Sequence, residues 1–175
     1  MPGVLCRVAA VLVAAALAGC GITDTDPLPA GRPVQGGLTE DSGRLLRVYF
    51  VTAQGTWPVS RPAPAGDRLQ RAMDALLTGP TADERARGLV TRLPAAAEPI
   101  RARSAGDRVE LRVPWLVRDL PPVAVSQMVC TAAAATDSGG DPVVEVFEPG
   151  MGSEPWPVRC DASGSAVPAR QGGSS

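Results

Sequence analysis

An uncharged run from Val8 to Leu17, preceded by Arg7 and followed by Ala18 and Gly19 ahead of Cys20, constrains this chain first, because it subtracts the N-terminus from whatever folds. A short positive start, an apolar centre and small residues before a cleavage point are the parts of a secretory signal. The run is too short to span a bilayer, which takes about 20 apolar residues. With residues 1–19 removed, the remainder of the 175-residue chain is one ordinary domain with tails, enough for a modest core and too little for two.

The four residues Leu17-Ala18-Gly19-Cys20 resemble the lipobox of bacterial lipoproteins. That resemblance implies that Cys20 receives diacylglycerol, becomes the mature N-terminus and holds the chain on the extracytoplasmic side of the cell membrane. Several acyl chains, palmitate among them, anchor stably because each buried methylene contributes about 0.8 kcal/mol. The competing readings are a freely secreted chain, or an uncleaved anchor in which Cys20 is an ordinary small residue. Of the four cysteines, Cys6 falls in the signal and Cys20 carries the lipid, which leaves Cys130 and Cys160. In an oxidising compartment these two are expected to pair, the alternative being two buried thiols.

The chain contains no histidine, and its 17 basic residues are all arginine. Without imidazole there is no Ser-His-Asp or Cys-His nucleophile and no histidine-based metal site. Without lysine there is no Schiff base and no P-loop. Paired carboxylates survive as a catalytic option, but no stretch presents two of them on a cleft wall. The reading is therefore a chain that is not an enzyme, with no catalytic residue, no metal and no cofactor. A net charge of −1 and 3% aromatic content also argue against nucleic acid, which needs basic surplus and stacking platforms.

Along the chain, residues 20–43 are rich in Pro, Gly, Asp and Thr without apolar periodicity and read as a flexible stalk. From Asp161 to Ser175 the Ala, Ser, Gly and Pro content predicts a disordered tail. Residues 44–160 are left to fold. Leu45–Val51 and Thr56–Ser60 predict a hairpin whose second strand, carrying Pro58, is short or at an edge. Asp67 caps a helix with Leu69, Ala72, Met73, Leu76 and Leu77 on one stripe, and Gly79-Pro80 stops it. A short helical turn follows at Ala82–Arg87. Ile100–Arg103 and Arg108–Val113 alternate cleanly as a second hairpin, with Ile100, Ala102, Val109, Leu111 and Val113 inward. After Pro121-Pro122, the positions Val125, Met128, Val129, Ala132 and Ala133 predict a second amphipathic helix carrying Cys130, and Val143–Phe147 a last core strand. The order β-β-α-β-β-α-β predicts an α+β domain: one mixed or antiparallel sheet with two helices on one face and the other face open.

Val48-Tyr49-Phe50-Val51, Trp57-Pro58-Val59, Arg61-Pro62, Leu76-Leu77-Thr78-Gly79-Pro80-Thr81 and Glu84-Arg85-Ala86-Arg87-Gly88-Leu89, in that order, resemble the GerMN domain of sporulation and spore-germination lipoproteins. The resemblance covers roughly 46–148, with Leu-Leu-x-Gly-Pro as its most diagnostic piece. It implies a non-enzymatic module, similar in fold to ring-building motifs, that docks other envelope proteins. The chain carries one such domain where the sporulation protein has a tandem pair, and it lacks the propeller of the larger lipoproteins. The Cys130–Cys160 pair looks like an embellishment of short, single-domain members.

Two functions follow as expectations. The first is a membrane-anchored, non-catalytic binding or scaffold module for an envelope protein, engaged through the open sheet face or an edge strand; the oligomeric state is left open. The second is a binder of anionic wall polymer or lipid headgroups through Arg101, Arg103, Arg108 and Arg112, which alternation turns to the outer face. A solvated outer face is the bland counterpart of that second reading; for the Gly79-Pro80-Thr81 turn, plain helix termination is favoured over a docking loop. Trp57, Trp115 and Trp156 are core fillers or partner anchors; packing inside is the expectation, with Trp115 the first to test at a surface.

Overall fold

Leu45–Thr52 (β1) and Gly55–Pro62 (β2) form an antiparallel hairpin around the two-residue turn Ala53-Gln54. Leu46, Val48 and Phe50 are buried while Leu45 and Arg47 face out, as the alternation requires. The structure is a computed structural model and describes residues 45–96, 98–136, 141–150 and 154–169. The signal sequence, Cys20, the stalk at 20–43 and residues 170–175 lie outside the described residues. Tyr49 bonds away from β2 through both of its backbone groups, so its partner Pro58 stands where no ladder N–H is needed. β2 is accordingly an edge strand.

The first helix, Arg68–Thr78 (α1), starts at Asp67, whose carboxylate accepts from the Gln70 N–H at 2.7 Å. Leu69, Ala72, Met73 and Leu76 are buried on its stripe. Gly79 ends it at φ +83°, a left-handed conformation that a side chain strains, with its N–H returning to the Leu76 carbonyl. A short second helix, Ala82–Ala86 (α2), opens on a capping box in which Thr81 and Glu84 satisfy each other's backbone N–H groups.

The second sheet has five strands in the order β3 (Arg101–Ala105), β4 (Arg108–Arg112), β5 (Val143–Phe147), β6 (Trp156–Cys160) and β7 (Ala166–Pro168). Only β4 and β5 run parallel, because the third helix, Pro122–Ala134 (α3), crosses between them. Val109, Leu111, Val144, Val146 and Val158 point to the core. The fold is therefore α+β, but the described residues form two sheets, of two and five strands, where one was expected.

The single-sheet expectation fails at α3. Every residue from Ala124 to Ala132 is buried, so α3 has no solvated face to turn outward. It packs against β1 as well as against β5, β6, β7 and α1, which requires apolar or fully hydrogen-bonded side chains all round. Its polar residues close strand edges. Thr131 Oγ1 accepts from the Tyr49 N–H at 2.9 Å; Gln127 donates to the Tyr49 carbonyl at 3.2 Å and accepts from the Arg92 N–H at 2.7 Å; Ser126 Oγ accepts from the Ala166 N–H at 2.9 Å. On α1, Gln70 does the same for β3, donating to the Ile100 carbonyl and accepting from the Ala102 N–H, both at 2.9 Å. A buried glutamine presents one donor and one acceptor at the spacing of a peptide group, so it substitutes locally for a missing strand.

The tail expectation is corrected for residues 161–169. Asp161 Oδ1 accepts from the N–H groups of Ser163 and Ser165, each at 2.9 Å, Thr56 donates to the Gly164 carbonyl, and β7 pairs with β6. The small residues read as disorder are steric requirements here. A Cβ on Gly164 would lie 2.3 Å from Thr56 Oγ1.

Candidate functional site

The open face of the five-stranded sheet carries the four arginines that alternation placed there. Arg101, Arg103, Arg108 and Arg112 are all exposed, on β3 and β4. The register separates them into two kinds. Arg103 lies opposite Glu110 and pairs with it at 2.7 Å. Arg108 pairs with Glu145, a neighbour contributed by β5, whose hydrogen bond holds the guanidinium above its ordinary pKa. Arg159 at the far end pairs with Asp141. Arg101 and Arg112 face each other directly, and Arg112 lies over the Phe147 ring at 4.6 Å. The face therefore has far less uncommitted positive charge than four arginines suggest.

Edge-strand pairing finds little room. The outer edge of β1 is closed by Thr131 and Gln127 and by two backbone bonds between Val51 and Val90, and that of β3 is capped by Gln70. The outer edge of β2 carries Pro58 and Pro62, which cannot donate to an added strand.

The tryptophans also sort differently from expectation. Trp115 is half-buried against the core. Trp57 and Trp156 are the exposed ones, at 59% and 56%. Trp156 stands on the core-facing side of β6, opposite Val146, at a point that α3 does not cover. With Val117, Leu120, Val125, Val158 and Pro168 it lines a groove of about 540 Å³ at the N-terminal end of α3. Among the described residues, Arg118 is the only charged one on its wall. A concavity of this size and lining suits apolar side chains and offers few polar groups for a reaction.

One polar centre was missed altogether. The Arg61 guanidinium lies 4.9 Å over the Phe50 ring, pairs with both carboxylate oxygens of Glu84, and donates to the carbonyls of Ala75 (3.3 Å) and Gly79 (3.0 Å). Burial pushes the Glu84 carboxyl upward, but Arg61 and the Thr81 N–H together hold it below the usual carboxylate range. Gly79 and Pro80 are buried in this centre while Thr78 and Thr81 on either side are exposed, so the Gly-Pro step itself acts as a helix stop. The signal in the sequence was Thr81-x-x-Glu84, a capping box beside an arginine set between Ser60 and Pro62.

Cys130 of α3 and Cys160 of β6 form a disulfide, with Sγ atoms 2.04 Å apart. Among the described residues no cluster of three or more Cys, Asp or Glu side chains is arranged to hold a metal, and no helix is long and apolar enough to cross a membrane. No family model, curated protein or solved structure matches the chain.

Proposed function

We propose that this chain is a lipid-anchored extracytoplasmic lipoprotein whose α+β domain, similar to the GerMN type, binds another envelope protein without catalysis. The observation that carries the reading is the Cys130–Cys160 disulfide downstream of the Leu17-Ala18-Gly19-Cys20 box: both belong to a chain that leaves the cytoplasm, and they are independent of each other. The groove under Trp156 supports a protein partner, because it is an apolar concavity that the described residues leave open beside an exposed tryptophan, a residue type enriched at interface hot spots. Anchoring makes a shallow site sufficient, since tethering two partners to one membrane raises their effective concentration without new contacts.

Two measurements test this. Cys20→Ala is expected to move the chain out of the membrane fraction and abolish its lipid modification by mass; an unmodified variant that stays equally membrane-bound overturns the anchor. A photo-crosslinking residue in place of Trp156 is expected to trap one envelope protein in intact cells, while the same group in place of Thr78, an exposed residue of α1, does not. Equal trapping from both positions overturns the groove as the contact.

A further inference from the structure

We infer that Arg101 and Arg112 form a binding site for a phosphate group on the open face of the five-stranded sheet. The inference is independent of the anchor and of the groove. Directly opposed residues of an antiparallel pair bring their Cβ atoms to about 4.5–5.5 Å, and like charges in that position oppose folding. The other arginines of this face each have a carboxylate partner: Glu110 for Arg103, Glu145 for Arg108 and Asp141 for Arg159. Among the described residues no carboxylate lies within ion-pair distance of Arg101 or Arg112. Among the described residues of this face, the pair is therefore where an external anion gains two guanidinium groups without displacing an internal partner.

The chemistry favours phosphate over carboxylate. One guanidinium fork already satisfies both oxygens of a carboxylate, whereas two forks on opposed positions of neighbouring strands offer donors for the three or four oxygens of a tetrahedral anion. Phe147, the β5 residue in register with Arg112, lies under the Arg112 guanidinium at 4.6 Å. Stacking on a ring orients the plane before any ligand arrives, which lowers the ordering cost of a bidentate contact. An exposed two-arginine site of this kind holds a single phosphate in about the millimolar range and gains by repetition along a polyanion.

Calorimetric titration of the full chain in a nonionic detergent with inorganic phosphate, at fixed ionic strength, tests the assignment. Arg101→Gln and Arg112→Gln are each expected to weaken binding about tenfold. Phe147→Leu, which keeps every charge, weakens it several-fold, about threefold. Arg103→Gln and Arg108→Gln, whose guanidinium groups are committed to glutamates, change it less than about twofold. Glycerol phosphate and vesicles of phosphatidylglycerol separate the sources: Arg101-dependent binding of the soluble ester alone assigns a free or polymer-borne phosphate, and Arg101-dependent vesicle binding assigns a headgroup. Absence of saturable phosphate binding overturns the site. So does an equal loss on removing Arg103 or Arg108, since that is the signature of a diffuse positive face.

Discussion

Replacing Glu84 with alanine is expected to lower folding stability by about 3 kcal/mol, measured as a fall in the urea midpoint at unchanged slope. The carboxylate is buried with its partner Arg61, whose side chain is only 16% exposed, and it also accepts from the Thr81 N–H at 2.8 Å. Its removal strands a guanidinium over Phe50 and orphans the backbone N–H of Thr81, the N-cap of α2, together. Breaking a buried pair from one side leaves an uncompensated charge, which costs more than the pair contributed. Arg61→Met with Glu84→Leu is consequently expected to be less damaging than Glu84→Ala alone, although it removes more polar groups. A loss under about 1 kcal/mol in the single variant would mean that solvent already screens the pair.

The same centre sets an acid limb. The folded Glu84 carboxyl titrates below its unfolded value, so the unfolded chain binds the extra proton and stability rises with pH across that interval. The contribution is complete above the ordinary glutamate value of about 4.3 and is lost as pH falls through the depressed folded value. The urea midpoint of Glu84→Gln should therefore lie well below that of the unaltered chain at pH 7, and the gap should narrow below about pH 4. A constant gap from pH 7 to pH 3 would refute the assignment of that limb to Glu84.

How far the fold was legible depends on whether its cause was local. β1, β3, β4 and β5 were legible because each alternates over its own length, and α1 because Asp67, the Leu69–Leu76 stripe and Gly79 lie within one segment. The surroundings of α3 were obscured by the stripe reading, although the stretch from Pro121 to Thr136 carries no charged residue. Gln127 at its centre was the overlooked clue. A glutamine in an uncharged helix needs a buried partner, and here it finds the edge of β1. β6 and β7 were illegible because Pro157, Gly164 and Pro168 signal turns locally, and only pairing to β5 and docking against Thr56 makes them strands. The candidate face was legible to the level of which arginines point out. Which of them are neutralised was not, because Glu145, the partner of Arg108, comes from a strand 37 residues away.

Removing both members of the disulfide, Cys130→Ala with Cys160→Ala, is expected to lower stability by about 3–4 kcal/mol and the midpoint of thermal unfolding by on the order of 10–15 °C. The bond closes a separation of 30 residues, and the unfolded chain regains that loop's freedom when it is cut. The folded state has little slack to lose, because Gln127 and Thr131, on either side of Cys130, already fasten α3 to β1 while the bond fastens it to β6. One helix is thus tied to both sheets. Reductant should bring the unaltered chain down to the stability of the double variant and leave the variant itself unmoved. Alkylation of the folded chain without reductant should label neither Cys130 nor Cys160, and full labelling of both would refute the bond. If reduction instead costs under about 1 kcal/mol, the shared hydrophobic core and the side-chain caps on β1 are sufficient to hold α3 in place without the bond.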